Sequence, residues 1–256
     1  MPDQLSLFDL SSNSVPQSPG VRESIASDLP SNIPPLPISP LDLDLIPTSA
    51  KISIPPGTYE NLAELTAHCN LCQRCGLSES RQNVVVSRGN PQAKIMIIGE
   101  APGQNEDEQG LPFVGRSGQL LEKILESVNL QIDRDIYICN INKCRPPDNR
   151  VPTPGEIAAC TPYLMEQIRL VDPQIILLTG ATAVKGLTGI KQGITKIRGT
   201  WIPWQERLCM PIFHPAYLLR NPSREQGSPK WLMWQDMQTI RAKFDELMAK
   251  DEALSS

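Results

Sequence analysis

Residues 94–103 read Lys94-Ile95-Met96-Ile97-Ile98-Gly99-Glu100-Ala101-Pro102-Gly103. The apolar run Ile95–Ile98 has no polar alternation, so it reads as a short strand buried on both faces. Two glycines and a proline follow, a tight turn through which a ligand can approach the backbone. Working outward, three more runs have the same character: Ile136–Cys139, Gln174–Thr179 and Leu208–Phe213. Between and after them lie helical patterns. Ser117–Asn129 places Leu120, Leu121, Ile124, Leu125 and Val128 on one stripe. Pro154–Leu170 and Lys230–Lys250 read as further helices. Four strands alternating with helices imply an α/β protein with a central, mainly parallel four-stranded sheet covered on both faces. Functional residues of such sheets collect beyond the carboxyl ends of the strands. That directs attention to Gly99–Gly103, Asn140–Cys144 and His214–Arg220.

The chain has 256 residues, of which 40% are hydrophobic and 20% charged. That length suits one domain with a tail or two small domains. Residues 1–56 hold 11 prolines and 11 serines, with six acidic and two basic side chains and no cysteine, tryptophan or tyrosine. This composition cannot bury enough apolar surface to offset its ordering entropy, so a disordered tail is expected over 1–56 and a folded domain over 57–256. The net charge of −4 is an acidic tail ahead of a domain with 22 basic and 22 acidic residues, so overall charge does not exclude a nucleic-acid partner. No apolar run approaches the ~18 residues of a membrane span. The start MPDQLSLFDLSS lacks the basic region of a secretory signal, so the expectation is a cytoplasmic protein without a membrane partner.

Seven cysteines, at 69, 72, 75, 139, 144, 160 and 209, make an odd set in a chain without a secretion signal, which argues against a disulfide framework. Cys139 and Cys209 fall inside strands and read as core residues. The remainder form overlapping C-x-x-C pairs at Cys69, Cys72 and Cys75, with Cys144 and Cys160 farther on. One C-x-x-C pair plus two distant cysteines supplies four thiolates, which suits tetrahedral zinc and a four-iron cluster equally.

The strand-end loops carry the other chemistry. Glu100 lies one residue past the first strand, where a carboxylate can hold a water or cap a turn. The loop is neither G-x-G-x-x-G nor a phosphate-binding G-x-x-x-x-G-K-[ST], so no nucleotide cofactor is expected. Phe113, in Gly110-Leu-Pro-Phe-Val-Gly115, can offer its face to a flat ligand or pack in the core. Asn140 ends the second strand; its amide can pair with the N3–H and O4 edge of uracil and reject cytosine, or simply cap the strand. His68 sits among the cysteines and reads as solvated or as a neighbour of the cluster ligands. His214 follows the last strand in His214-Pro-Ala-Tyr-Leu-Leu-Arg220, where a neutral imidazole can meet a developing oxyanion. Leu218 and Arg220 there pair an apolar side chain with a cation, which suits a wedge in a base stack beside a phosphate contact.

Read together, GEAPGxxED, GxPFVGxxGxLL, the strand-end Asn followed by KCRPP, and HPAYLLRNP occur in one order. They resemble the family-4 uracil-DNA glycosylases, the iron–sulfur type. The resemblance covers roughly residues 69–240 and implies a three-layer α/β/α fold, one structural 4Fe-4S cluster and excision of uracil from DNA. It places the cluster on Cys72, Cys75, Cys144 and Cys160, leaving Cys69 as an extra. It also implies that Glu100 holds the attacking water, that Phe113 stacks on the flipped base and that Asn140 reads its edge. His214 would meet O2, and the backbone of Gly99–Ala101 would close the pocket. Glu106 is a further candidate, for excluding the thymine methyl, and Leu218 for the wedge. The enzyme would be a monofunctional hydrolase of N-glycosyl bonds acting on uracil-containing DNA, expected as a monomer. The competing reading is a non-catalytic iron–sulfur DNA-binding or polymerase-associated module. Separately, Gln4-Leu5-Ser6-Leu7-Phe8 resembles the peptide by which bacterial repair proteins dock on the sliding clamp.

Overall fold

A computed structural model of the chain describes residue 50 and residues 53–255. The Gln4–Phe8 peptide and nearly all of the expected tail lie outside the described residues. Ile54, ahead of the boundary expected at residue 57, is buried beside Tyr59 and Leu65. The Glu166 carboxylate holds this entry to the fold by accepting from the backbone N–H groups of Gly57 and Tyr59.

The four expected strands form, and two short ones extend them into a six-stranded sheet of order β1-β3-β2-β4-β6-β5. β2 (Ile95–Gly99), β3 (Ile136–Asn140), β4 (Ile175–Thr179) and β6 (Arg207–Ile212) run parallel. β1 (Arg88–Gly89) and β5 (Ile202–Trp204) are antiparallel edges. The expectation of a four-stranded sheet is therefore corrected to six. Two residues are too few to show a period, and Pro203 masks β5 because proline is confined to sheet edges.

Every residue of β2, β3 and β4 is buried. The physical cause is a layer of helices on each face, which removes the need for polar alternation. Ile95, Ile97, Ile136, Ile138, Ile175, Leu177, Met210 and Ile212 face one layer. That layer is built from α3 (Arg116–Glu126), α8 (Pro215–Arg220) and α9 (Pro229–Ser255). Met96, Ile98, Tyr137, Cys139, Ile176, Leu178 and Cys209 face the other. It comprises α5 (Pro154–Val171), α6 (Ala181–Thr188) and α7 (Ile194–Ile197), while α1 (Leu62–Asn70) packs outside on α5. The three-layer α/β/α architecture is thus present. Among the described residues no helix is long and apolar enough to cross a membrane.

Local chemistry sets the helix ends. Thr153 caps α5, accepting from the Glu156 N–H while Glu156 accepts from the Thr153 N–H, and Pro154 starts the first turn. α3 stops at Glu126, short of the Asn129 expected from periodicity, and Asn129 itself turns left-handed at φ 56°. Val128 still reaches the core from the turn, so the apolar stripe continued past the helix that suggested it.

Chain direction places the site. From β2 the chain crosses through α3 to β3, then returns through α5 to β4 on the opposite side of β2. Reversal at β2 opens a crevice at the carboxyl ends of β2 and β4, the position where open parallel sheets bind ligands. α3 reaches this crevice by lying almost on the backbone that precedes it. A Cβ at Gly118 would stand 1.7 Å from the carbonyl oxygen of Phe113. Gly118→Ala is expected to force the two apart and lower stability by ~1–3 kcal/mol. A urea midpoint equal to that of the parent chain would contradict this packing.

Candidate active site

A cleft of about 630 Å³ opens at the strand ends. It is lined by Glu100, Ala101, Glu106, Phe113, Asn140, His214 and Arg220, with Thr179–Thr182 and Asn149–Arg150 among its other walls. The structure therefore brings together Glu100, Phe113, Asn140 and His214, which stand far apart in sequence. Gly99 pairs with Asn140 in the parallel ladder, and pairing continues as Ile141 N–H donates to the Gly99 carbonyl and Asn142 N–H to that of Glu100. The two loops thus leave the sheet side by side.

Gly99 is where the side chains converge. A Cβ there would lie 2.3 Å from Asn140 Oδ1 and 2.7 Å from two ring atoms of Phe113. Only a residue without a side chain lets the amide and the ring lie against this backbone. Phe113 holds a left-handed backbone, φ 56°, which is costly for a bulky residue and persists only when neighbours enforce it. They do so from both sides. The Arg88 guanidinium donates to the Phe113 carbonyl at 2.7 Å and to Glu122 of α3 at 2.7 Å. Glu106, in α2 (Gln104–Gln109), accepts from the N–H groups of Val114 at 3.0 Å and Gly115 at 2.7 Å through one oxygen. Its other oxygen accepts from the Gly103 N–H at 3.1 Å. Glu106 therefore ties the Gly99–Gly103 turn to the Phe113 loop.

His214 caps α8: its Nδ1 accepts from the Ala216 N–H at 3.1 Å. That bond assigns the tautomer in which Nε2 carries the proton. Burial, then the Arg220 guanidinium, press the imidazole pKa down to about 4, against a smaller opposing effect of Glu106. The ring lies 5.9 Å from that of Phe113, at 27° between planes. His214 is thus a neutral hydrogen-bond donor at ordinary pH.

α8 sets Leu218 and Arg220 in different surroundings. Arg220 is exposed and lines the cleft, but Leu218 is fully buried in the core beside α3. A wedge at Leu218 would require unpacking that core, so the expectation for this residue is corrected. Sequence reading also passed over Arg88 and the Thr179–Gly180 strand end. The strand-end rule pointed to the second, since a glycine follows the β4 run directly.

Cys72, Cys75, Cys144 and Cys160 line one small cavity, joined by Cys69. Cys69 is otherwise part of the core around Tyr59 and Tyr163. His68 is buried edge-on against Tyr59, not solvated. Cys139 and Cys209 are core residues of the sheet. Among the described residues no group of three or more His, Cys, Asp or Glu is arranged to hold a single metal ion. The thiols instead stand around a cavity whose remaining lining includes Arg74, Arg81 and Lys143 and no carboxylate. Three receive N–H donors: Cys72 from Arg74 N–H at 3.5 Å, Cys160 from Lys143 N–H at 3.3 Å and Cys144 from the Arg81 guanidinium at 3.3 Å. Burial pushes the Cys144 thiol up to about 11 and Cys160 up to about 12. A cation bound in this cavity would hold the thiols as thiolates. Surrounding donors and cations would then stabilise the net negative charge of a thiolate-held core, so the donor set fits a polynuclear metal–sulfur group.

A family model described as the uracil DNA glycosylase superfamily matches residues 86–238. A Type-4 uracil-DNA glycosylase of Thermotoga maritima is 46% identical over 171 residues, which covers 66% of this chain and 88% of that protein. Proteins of the same description from Sulfurisphaera tokodaii and Saccharolobus solfataricus are 41% and 40% identical, each over 64% of this chain and covering 78% and 79% of those proteins.

The histidine sets a pH expectation. Folded His214 gains its proton only near pH 4, whereas an unfolded imidazole gains it near its ordinary value of 6.5. The unfolded state then binds more protons between these values, so this group's contribution to stability is complete above 6.5 and is lost as pH falls towards 4. Nitrogen-15 spectra of His214 should show a neutral, Nε2-protonated ring at pH 6. A ring that titrates near 6.5 would contradict the assignment.

Proposed function

The chain belongs to the uracil DNA glycosylase superfamily, and from that membership and its cleft we propose that it removes uracil from DNA. It hydrolyses the N-glycosyl bond and leaves an abasic site, the first step of base excision repair. The observation that carries the chemistry is the single cleft in which Glu100, Phe113, Asn140 and His214 meet at the ends of parallel strands.

A base inside a duplex is inaccessible, so uracil must rotate out of the stack, at a cost of a few kcal/mol. Stacking on the Phe113 ring would return ~1–3 kcal/mol. Asn140, pressed against Gly99, presents an amide that accepts from uracil N3–H and donates to O4. Cytosine offers the reverse order and leaves buried polar groups unpaired. As the bond breaks, positive charge grows on the sugar and negative charge on the departing base. Glu100 stabilises the first and orients a water. The Nε2–H of neutral His214 donates to O2 as that oxygen gains charge, an interaction of ~3 kcal/mol when the donor is fixed in advance. Its cap on α8 is what fixes it. Arg220, exposed at the same cleft, supplies a phosphate contact. Glu106 acts by holding Phe113 and the Gly103 turn in register.

Cys72, Cys75, Cys144 and Cys160 would hold a 4Fe-4S cluster, which when bound braces the segments that carry it and takes no part in bond cleavage. Between Cys144 and Cys160 lie Asn149 and Arg150, which reach the cleft. The support is four thiols from three distant segments around one cavity, lined by cations.

Incubation with a uracil-containing oligonucleotide followed by alkali is expected to break the strand at uracil alone. Glu100→Gln should slow single-turnover cleavage by at least ~10²-fold while uracil-DNA binding persists. Unaltered turnover would remove Glu100 from its role. Anaerobically purified protein should be brown and contain iron and sulfide. A colourless, active preparation containing zinc would overturn the cluster assignment and leave the glycosylase reading intact.

A further inference from the structure

One buried cation stands between the thiol cavity and the cleft. Lys143 is 1% exposed. Its backbone N–H donates to Cys160 Sγ at 3.3 Å, and its ammonium donates to the backbone carbonyl of Asn140 at 2.6 Å. Its own carbonyl accepts from the Val85 N–H at 2.8 Å, so the residue is held at both backbone groups. Lys143 also lines the thiol cavity. Taking an ammonium out of water costs several kcal/mol unless opposite charge stands nearby. A single carbonyl dipole does not supply that charge, and the cavity contains no carboxylate. Thiolates holding a metal–sulfur core would supply it, because their summed negative charge exceeds the positive charge of the core. Arg74 and Arg81 also line the cavity, Arg74 donating to the Ala159 carbonyl and Arg81 to the Cys144 thiol and the Asn70 carbonyl. Lys143 joins the cavity to the last residue of β3, whose side chain lies against Gly99 in the cleft.

We propose that Lys143 is a positioning residue that couples the loaded thiol pocket to uracil recognition, by drawing its charge balance from the thiolates and fixing the Asn140 backbone with its ammonium. The inference rests on the readings that the pocket holds an iron–sulfur cluster and that Asn140 meets the uracil edge. Lys143 touches neither base nor sugar; it acts through Asn140. Loss of the ammonium leaves the Asn140 carbonyl without this donor, so the amide is held less firmly in the orientation that binds uracil. It also removes a positive charge beside the cluster, which disfavours the reduced, more negative form.

The test replaces Lys143 by methionine, which keeps length and apolar stem without the charge. Iron content and the visible spectrum establish loading in parent and variant. Two further readouts are the reduction potential of the cluster and the affinity for free uracil, measured as inhibition of cleavage. Lys143→Met is expected to load iron, to show a more negative potential and to bind uracil roughly two- to thirtyfold more weakly, the range of coupling through a packed network. Weakened uracil binding at full loading, with selectivity over cytosine reduced, supports the coupling. A shifted potential with unaltered uracil affinity overturns it, as does no change in either. Should methionine prevent loading, Lys143→Arg is measured, which keeps the charge but alters its reach to Asn140. Full loading with weaker uracil binding then supports the coupling, and parental affinity overturns it. Failure of both variants to load iron also overturns it, since Lys143 then serves assembly of the pocket. An iron-free parent, or one that uracil does not inhibit, would instead count against the readings on which the inference rests.

Discussion

Three backbone N–H groups converge on one carboxylate, that of Glu106, and the cleft depends on that convergence. Hydrogen bonds to a charged acceptor are roughly twice as strong as neutral ones. Here they join two loops that the sheet alone would leave independent. One loop begins at Gly99 and carries Glu100; the other carries Phe113 in a backbone conformation that bulky residues avoid. With Arg88 holding the Phe113 carbonyl and α3 lying against it through Gly118, the ring has one place to go, the bare backbone of Gly99. The aromatic face is thus set before any ligand arrives, which spares a ligand the cost of ordering it.

The other wall of the cleft follows the same logic with a different device. His214 uses one nitrogen to cap α8, which leaves the other to the cleft in a defined protonation state. Burial and Arg220 remove its capacity to act as a proton donor near neutrality. A neutral donor suits a leaving group that departs as an anion, because it can stabilise charge without transferring a proton. The two rings and the strand-end amide therefore rest on three separate supports: a carboxylate, a helix cap and a parallel ladder.

On the far side of Asn140 lies the thiol cavity, and the chain between Cys144 and Cys160 connects the two regions. Arg150 pairs with Glu156, which closes the N-terminal cap of α5, and Cys160 lies farther along that helix. That ion pair ties the middle of the segment to the start of α5, and the segment presents Asn149 and Arg150 to the cleft.

Much of this was legible in the residues themselves. Short unbroken apolar runs that end at glycine, asparagine or His-Pro suit strands covered on both faces, so the parallel sheet and its helical layers were legible, and the strand-end rule pointed to the loops that bring Glu100, Asn140 and His214 to one cleft. The ordered blocks around them carried the family resemblance. Edge strands were not legible, because β1 is too short to show a period and β5 contains a proline. Leu218 suited a wedge beside Arg220; only packing against α3 places it in the core. Glu106 could be recognised as an acidic residue near the site, but nothing local says which N–H groups it will hold. Nothing in the residues around Lys143 says that the fold buries it. Local sequence determines period, caps and turns, since those depend on neighbours along the chain. Tertiary structure alone decided which carboxylate meets which loop and which cation loses its water, since those depend on residues brought together from distant positions.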